Sequence, residues 1–340
     1  MEIQDLVKRF AGHSGVSAMR HVWNDEAVCT IHLKGLAASA APMLFSALAL
    51  ADEPWRVPVA LFVLNDLEEA GYFYHDLTQV LGEGQVLFLP SSYKRAIKYG
   101  QKDSANEVLR TEVLTRLSEA SKLYIVTYPD ALAELVVSRD TLNDRSVRLA
   151  VGDTVEIPQM EAALVGEGFE RVDYVYEPGQ FAVRGSIIDV FSYASEYPYR
   201  IDLFGDEIDS IRTFEIESQL SRDKVQQVSI VPNFEGGAGD EVSFFDFLPK
   251  GSALAFQDYF WAHERMEQLT MDNGQLTMDN GQLFSPILAA SICLFAEPIV
   301  NCELTSLKSL CSAELASNLC SRSNATLSIV NCSILSCAQT

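Results

Sequence analysis

The sequence predicts an α/β protein: a mainly parallel sheet layered between helices, interrupted by a small antiparallel α+β domain. Three observations predict it. As far as Tyr128, short apolar runs alternate with helical stretches, the pattern of a sheet buried on both faces. Between Arg171 and Phe214, short strands follow one another across close turns instead. With 340 residues, 48% of them hydrophobic, the chain can bury about two cores.

The elements follow in order. Met1 to Gly12 has mixed charge and reads as a short amphipathic helix, unlike a signal peptide. Ala27 to Leu33 (AVCTIHL) suits a buried strand, and Ala40 to Ala51 an Ala/Leu-rich helix. Val57 to Leu64 is a second strand, followed by a helix through Asp66 to Leu81 and a third strand at Gln85 to Leu89. Asp103 or Ser104 can cap a helix reaching Ser121, before the strand Lys122 to Tyr128. The pattern changes near Leu142. Arg148 to Ile157 is strand-like, and Pro158 can open a helix ending near Gly168. Arg171 to Glu177 then reaches a turn at Pro178-Gly179, and Phe181 to Phe191 returns from it. Tyr199 to Phe204 meets a turn at Gly205-Asp206-Glu207 before Ile208 to Phe214. Val225 to Val231 is expected to re-enter the parallel sheet.

Gln268 begins a different kind of sequence. Gln268 to Gly274 (QLTMDNG) recurs unchanged as Gln275 to Gly281, and its Asn-Gly pairs disfavour a helix. Six of the seven cysteines follow, at Cys293, Cys302, Cys311, Cys320, Cys332 and Cys337, with no C-x₂-C pair among them. Neither a metal site nor a membrane span is expected there, since Pro286 and Glu297 interrupt the apolar stretch. Four regions are thus expected: 1–141, an α/β domain; 142–212, an inserted α+β domain; 213–267, a return to the first domain and the start of a truncated partner subdomain; and 268–340, a repeat-containing, disordered tail.

Charge narrows the function. Of the formal −22, Met1 to Glu267 carries −19, and no Lys/Arg run with interleaved aromatics offsets it. Such a surface repels a phosphate backbone. The lone body thiol, Cys29, fits a reducing compartment, so the location expected is cytoplasmic.

Two places could carry chemistry or recognition. A phosphate-binding loop needs glycines, a lysine for the terminal phosphates and a hydroxyl for magnesium. On the G-x-x-x-x-G-K-[ST] template Gly35 keeps the first glycine, but Ala40, Ala41 and Pro42 occupy the other three positions. This reads as an ordinary strand-to-helix turn with no catalytic role. The second place is the insert. If Phe181 to Phe191 is one regular strand, Phe181, Val183 and Ile187 share a face and Arg184 points to the other, open to a partner. Alternatively Arg171, Arg184 and Arg200 pair with nearby carboxylates on a solvated face.

The runs Phe181 to Phe191 (FAVRGSIIDVF) and Tyr199 to Arg212 (YRIDLFGDEIDSIR) resemble a segment shared by UvrB and the bacterial transcription-repair coupling factors (Mfd). Asn106 to Ser121 and Tyr124 to Leu132 match in order, so the resemblance covers most of Met1 to Glu267. It implies a degenerate RecA-like (P-loop-type) layer, catalytically inert and without cofactor or metal. Its insert would recruit UvrA through Arg171, Arg184 and Phe191, with Arg222 outside the insert as a neutral control. The loss at Ala40 to Pro42, and the short Leu89 to Lys94 connection where UvrB has a DNA-gripping hairpin, favour the coupling factors. RNA polymerase and DNA would be reached only through family domains expected after Glu267 and not found here. A nucleotide-dependent DNA hydrolase is the rival reading, and a non-functional truncated product a third.

Overall fold

The computed structural model describes residues 3–23, 30–36, 38–51, 57–92, 104–119, 122–234, 240–272, 290–295 and 328–331. The chain falls into two units. One comprises Met1–Pro90, Ala120–Glu134 and Phe244–Thr340; the other comprises Ser91–Glu119 and Leu135–Ser243. The second is thus inserted into the first at two points.

Numbered along the chain, the first stretch carries α1 (Ile3–Ala11), α2 (Ser14–Trp23), β1 (Thr30–Lys34), α3 (Ala40–Ala49), β2 (Val59–Val63), α4 (Leu67–Leu81) and β3 (Val86–Phe88). The helix α5 (Ser104–Glu119) belongs to the second unit, while β4 (Leu123–Thr127) and α6 (Pro129–Leu132) return to the first. The second unit then runs through β5 (Val136–Val137), α7 (Arg139–Arg145), β6 (Val147–Ala150), α8 (Ile157–Gly166), β7 (Glu170–Arg171), β8 (Gln180–Arg184) and β9 (Ile187–Val190). It continues with β10 (Tyr199–Phe204), β11 (Glu207–Phe214), β12 (Ser221–Val225), β13 (Gln227–Ile230) and β14 (Glu241–Val242). A 3₁₀ turn at Phe244–Phe247, β15 (Ala253–Phe256), α9 (Tyr259–Asp272), β16 (Ala290–Phe295) and β17 (Ser328–Asn331) complete the first unit.

The first unit is the expected α/β layer, a parallel sheet in the order β17-β1-β16-β15-β2-β4-β3. Every residue of β2 and β4 is buried, so neither strand needs a polar face. Phe45 of α3 meets Phe62 of β2 edge-on at 4.8 Å, and Phe73 of α4 packs at 5.0 Å from Phe62. The start of α4 is set by Asp66, whose carboxylate accepts from the Glu68 and Glu69 amides at 2.8 and 3.0 Å. The chain leaves the helix through Gly82 at φ 85°. Of the strand expected at Ala27 to Leu33, Thr30 onward is β1; Ala27 to Cys29 lie outside the described residues.

The second unit holds the antiparallel sheet, ordered β12-β11-β10-β9-β8-β7, with the two-residue β7 running parallel to β8. Its core sets Phe181, Ile188, Val190, Ile201, Leu203, Ile208 and Ile211 against Met160 and Leu164 of α8. Two expectations are corrected here. Phe181 to Phe191 is not one strand: it folds back at Gly185, φ 64°, as the β8–β9 hairpin. Counting through the turn therefore put Ile187 on the wrong face; Ile187 pairs with Arg184, and Ile188 with Val183. Val225 to Val231 does not return to the parallel sheet either. Within it Val228 and Ile230 are buried, while Gln227 is exposed and Ser229 half-exposed; this alternation belongs to β13, paired antiparallel with β6. The return is made by β15, whose continuous apolar run, Ala253 to Phe256, lies fully buried beside β2.

Helix α9 enters the first repeat copy, because Met266 and Leu269 are buried on one face, and it is described up to Asp272, the residue before Asn273-Gly274. Further along, β16 and β17 flank β1. The rest of the tail, including Cys302, Cys311, Cys320, Cys332 and Cys337, lies outside the described residues. No helix among the described residues is long and apolar enough to cross a membrane.

Candidate partner-binding face

The β8–β9 hairpin and β10 bring three charged side chains to one point. Cross-strand register aligns Ala182, Asp189, Arg200, Arg212 and Lys224 in a single row through β8 to β12. Cross-strand partners share a face, so this row lies opposite the α8-packed core. Asp189 is 1% exposed, and a buried carboxylate needs partners. It has two. Arg200 grips it with both ends of its fork, Nε to Oδ1 at 2.7 Å and Nη2 to Oδ2 at 2.9 Å. Arg184 donates from Nη2 to the same Oδ2.

The two arginines differ in how completely they are held. Arg200 also donates from Nη1 to the Gln219 carbonyl at 3.0 Å and lies 4.5 Å over the Phe214 ring. Its hydrogen bonds to Asp189 raise its pKa, with burial opposing and the charges of Asp189 and Asp202 assisting. Arg184 is 36% exposed at its side chain and stacks 5.0 Å over Tyr174, itself half-exposed. Among the described residues its Nε and Nη1 have no hydrogen-bond partner, so this guanidinium is anchored at one nitrogen and open at the others.

The other expected site residues fall elsewhere. Arg171, on the edge strand β7, is 59% exposed and lies 3.1 Å from Glu161. That Glu161 oxygen has no hydrogen-bond partner of good geometry, so the pair is a charge contact only. Phe191 is 4% exposed and closed in with Val175, Ala182 and Phe214. It offers no surface to a partner; it floors the face beneath the arginines. Arg222 is not remote from the insert. It sits on β12 of the same sheet, bonded to Glu215 at 2.8 Å and 4.1 Å over Tyr197, which disqualifies it as a control.

At the turn from β1 to α3, Gly35 has φ 81° and Ala38 φ 48°. Ser39 precedes the helix without a side-chain cap, Ala40 is half-buried, and Ala41 and Pro42 are buried. The side chains of Ala40, Ala41 and Pro42 carry neither a cation nor a hydroxyl. A feature the sequence did not reveal is a cleft of about 680 Å³ in the second unit, lined by Glu112, Glu119, Arg148, Glu196 and Tyr199 among others. Burial raises the pKa of Glu112, with Arg116 opposing and Glu196 assisting. Burial also raises Tyr199, against its hydrogen bond with Ser195. The residues come from segments far apart in the chain, so no local pattern announces the cleft.

Comparison with known proteins finds similarity over part of the chain. Residues 147–235 match the family model described as the UvrB interaction domain, which starts at β6, ends just beyond β13 and takes in β12. The chain is 31% identical over 200 residues to the transcription-repair-coupling factor of Bacillus subtilis (strain 168), covering 59% of this chain and 17% of that protein. It is 30% identical over 170 residues to that of Staphylococcus aureus (strain USA300), with 50% and 14% covered. For that of Haemophilus influenzae the identity is 32% over 137 residues, with 40% and 12% covered. The chain spans less than a fifth of the length of these curated relatives. It is thus similar over about half its own length to transcription-repair-coupling factors, and over residues 147–235 to the UvrB interaction domain.

Proposed function

We propose that the chain is a non-enzymatic recruitment module for UvrA, acting in the cytoplasm in transcription-coupled nucleotide excision repair. The observation that carries the reading is Arg184, standing inside the matched interaction domain on a buried carboxylate, with two donor nitrogens that have no partner among the described residues. A half-exposed guanidinium beside an aromatic ring suits an acidic group on a partner protein. Direct nucleic-acid binding is not part of the proposal: residues 147–235 hold 17 acidic and seven basic side chains. Nor is nucleotide hydrolysis, because Ala40, Ala41 and Pro42 stand where a phosphate loop needs glycine, lysine and a hydroxyl.

The test is interferometry with the full chain immobilised and purified UvrA titrated in the absence of DNA and ATP. Saturable binding is expected. A chain that melts cooperatively yet shows no affinity for UvrA overturns the proposal.

A further inference from the structure

The sharing of one carboxylate by two arginines is asymmetric, and that asymmetry has a use. Asp189 supplies one negative charge to two guanidiniums, so the cluster keeps one net positive charge. Arg200 takes both carboxylate oxygens and a backbone carbonyl, and only 16% of its side chain is exposed. Arg184 is left with a share of Oδ2 alone. Without Arg200, Oδ1 would be vacant, and Arg184 could rotate inward to grip Asp189 through two nitrogens, as Arg200 now does. Its charge would then be neutralised and its donors withdrawn.

We infer that Arg200 is a positioning residue: by occupying both oxygens of Asp189 it keeps the Arg184 guanidinium singly tethered, net positive and open to a carboxylate of the partner. The inference rests on the recruitment reading for its partner, but the behaviour it assigns to Arg184 can be measured without one. A merely structural role for Arg200 would be served by any packed side chain of similar length. The positioning role requires a cation there.

The experiment compares the full chain with Arg200→Met and Arg200→Lys, each first shown to melt cooperatively. Arginine-specific modification by phenylglyoxal, followed peptide by peptide, reads the availability of Arg184 directly. In the wild type Arg184 should react well ahead of Arg200. In Arg200→Met the reactivity of Arg184 should fall about tenfold, and in Arg200→Lys it should stay near wild type. Unchanged reactivity in Arg200→Met, or an equal loss in both variants, overturns the inference whatever UvrA does. With UvrA, Arg200→Met should bind about tenfold more weakly and with a shallower dependence on salt, because one interfacial charge has been neutralised. Should the wild type fail to bind UvrA while the modification pattern holds, the recruitment reading fails and the positioning role stands. Should Arg200→Met be too unstable, Arg200→Gln replaces it: a single uncharged amide cannot hold both oxygens of Asp189, so the reactivity of Arg184 should still fall, and unchanged reactivity overturns the inference.

Discussion

Replacing Arg184 with alanine should separate recognition from stability. The side chain is 36% exposed, so its ion pair with Asp189 is discounted for solvent and contributes under about 1 kcal/mol to folding. The stacking on Tyr174 adds about 0.5 kcal/mol at an exposed site. Removing Arg184 does not strand the buried carboxylate, because Arg200 still grips both its oxygens. The total of about 1 kcal/mol corresponds to a fall in melting temperature of roughly 2–4 °C. Binding behaves differently. A charge-assisted contact desolvated at the interface costs about 2–5 kcal/mol when one partner is truncated, so affinity for UvrA should fall by about thirtyfold or more. Differential scanning fluorimetry and an interferometry titration measure the two effects on the same preparation. Lys8→Ala, at an exposed position of α1 in the other unit, replaces Arg222 as the control. Unchanged affinity in Arg184→Ala would refute the reasoning, as would a melting loss large enough to explain the weaker binding by unfolding alone.

Three further outcomes are expected. Gly179→Ala should destabilise the second unit by about 2–3 kcal/mol, since φ is 87° and the new Cβ would stand 2.6 Å from the Tyr193 hydroxyl; urea denaturation checks this, and a change near zero would show that Tyr193 yields freely. Glu112→Gln should raise the melting temperature at pH 7 by about 1–3 °C. Burial lifts the folded pKa of Glu112 above 4.5, so its contribution is fully present below that pH and lost as pH rises; the gain should vanish near pH 4. Magnesium-ATP titrated by calorimetry should give no binding heat, and micromolar binding abolished by a bulky replacement at Gly35 would revive the hydrolase reading.

What could be read in advance was whatever depends on neighbours in the chain. Asp66 followed by Glu68 and Glu69 announces the start of α4, and Gly82 its end, because capping is settled within a few residues. The continuous apolar strands β2 and β4 were legible for the same reason, and so was the turn at Gly205-Asp206. The β8–β9 turn was not. Gly185-Ser186 is a two-residue hairpin signal, with glycine at the first central position, but it is weaker than Asn-Gly or Asp-Gly, and an apolar run on both sides disguised it as one strand. That single miss misplaced Ile187 and hid the pairing of Asp189. Phe191 failed differently: resemblance marks a residue as important without saying whether it touches a partner or supports those that do. The Glu112 cleft needed long-range contacts that no window of sequence contains.

The register that forms the candidate face also fixes the fold. Side chains alternate along β9, so Ile188 and Val190 enter the α8-packed core while Asp189 lies on the opposite side with Arg184 and Arg200. A slip of one residue would turn Asp189 into that core among Phe181, Ile201 and Leu203, away from both arginines. An unpaired carboxylate there would cost several kcal/mol, more than any single apolar contact could return. Asp189 therefore selects one pairing of β8, β9 and β10 against its neighbours in register, and it helps to offset the like charges of Arg200 and Arg212, which face each other across β10 and β11. The arginine offered to a partner is thus located by the same ion cluster that excludes the misregistered sheet. Substitutions at Asp189 should consequently couple binding and folding, whereas those at Arg184 should leave folding nearly intact.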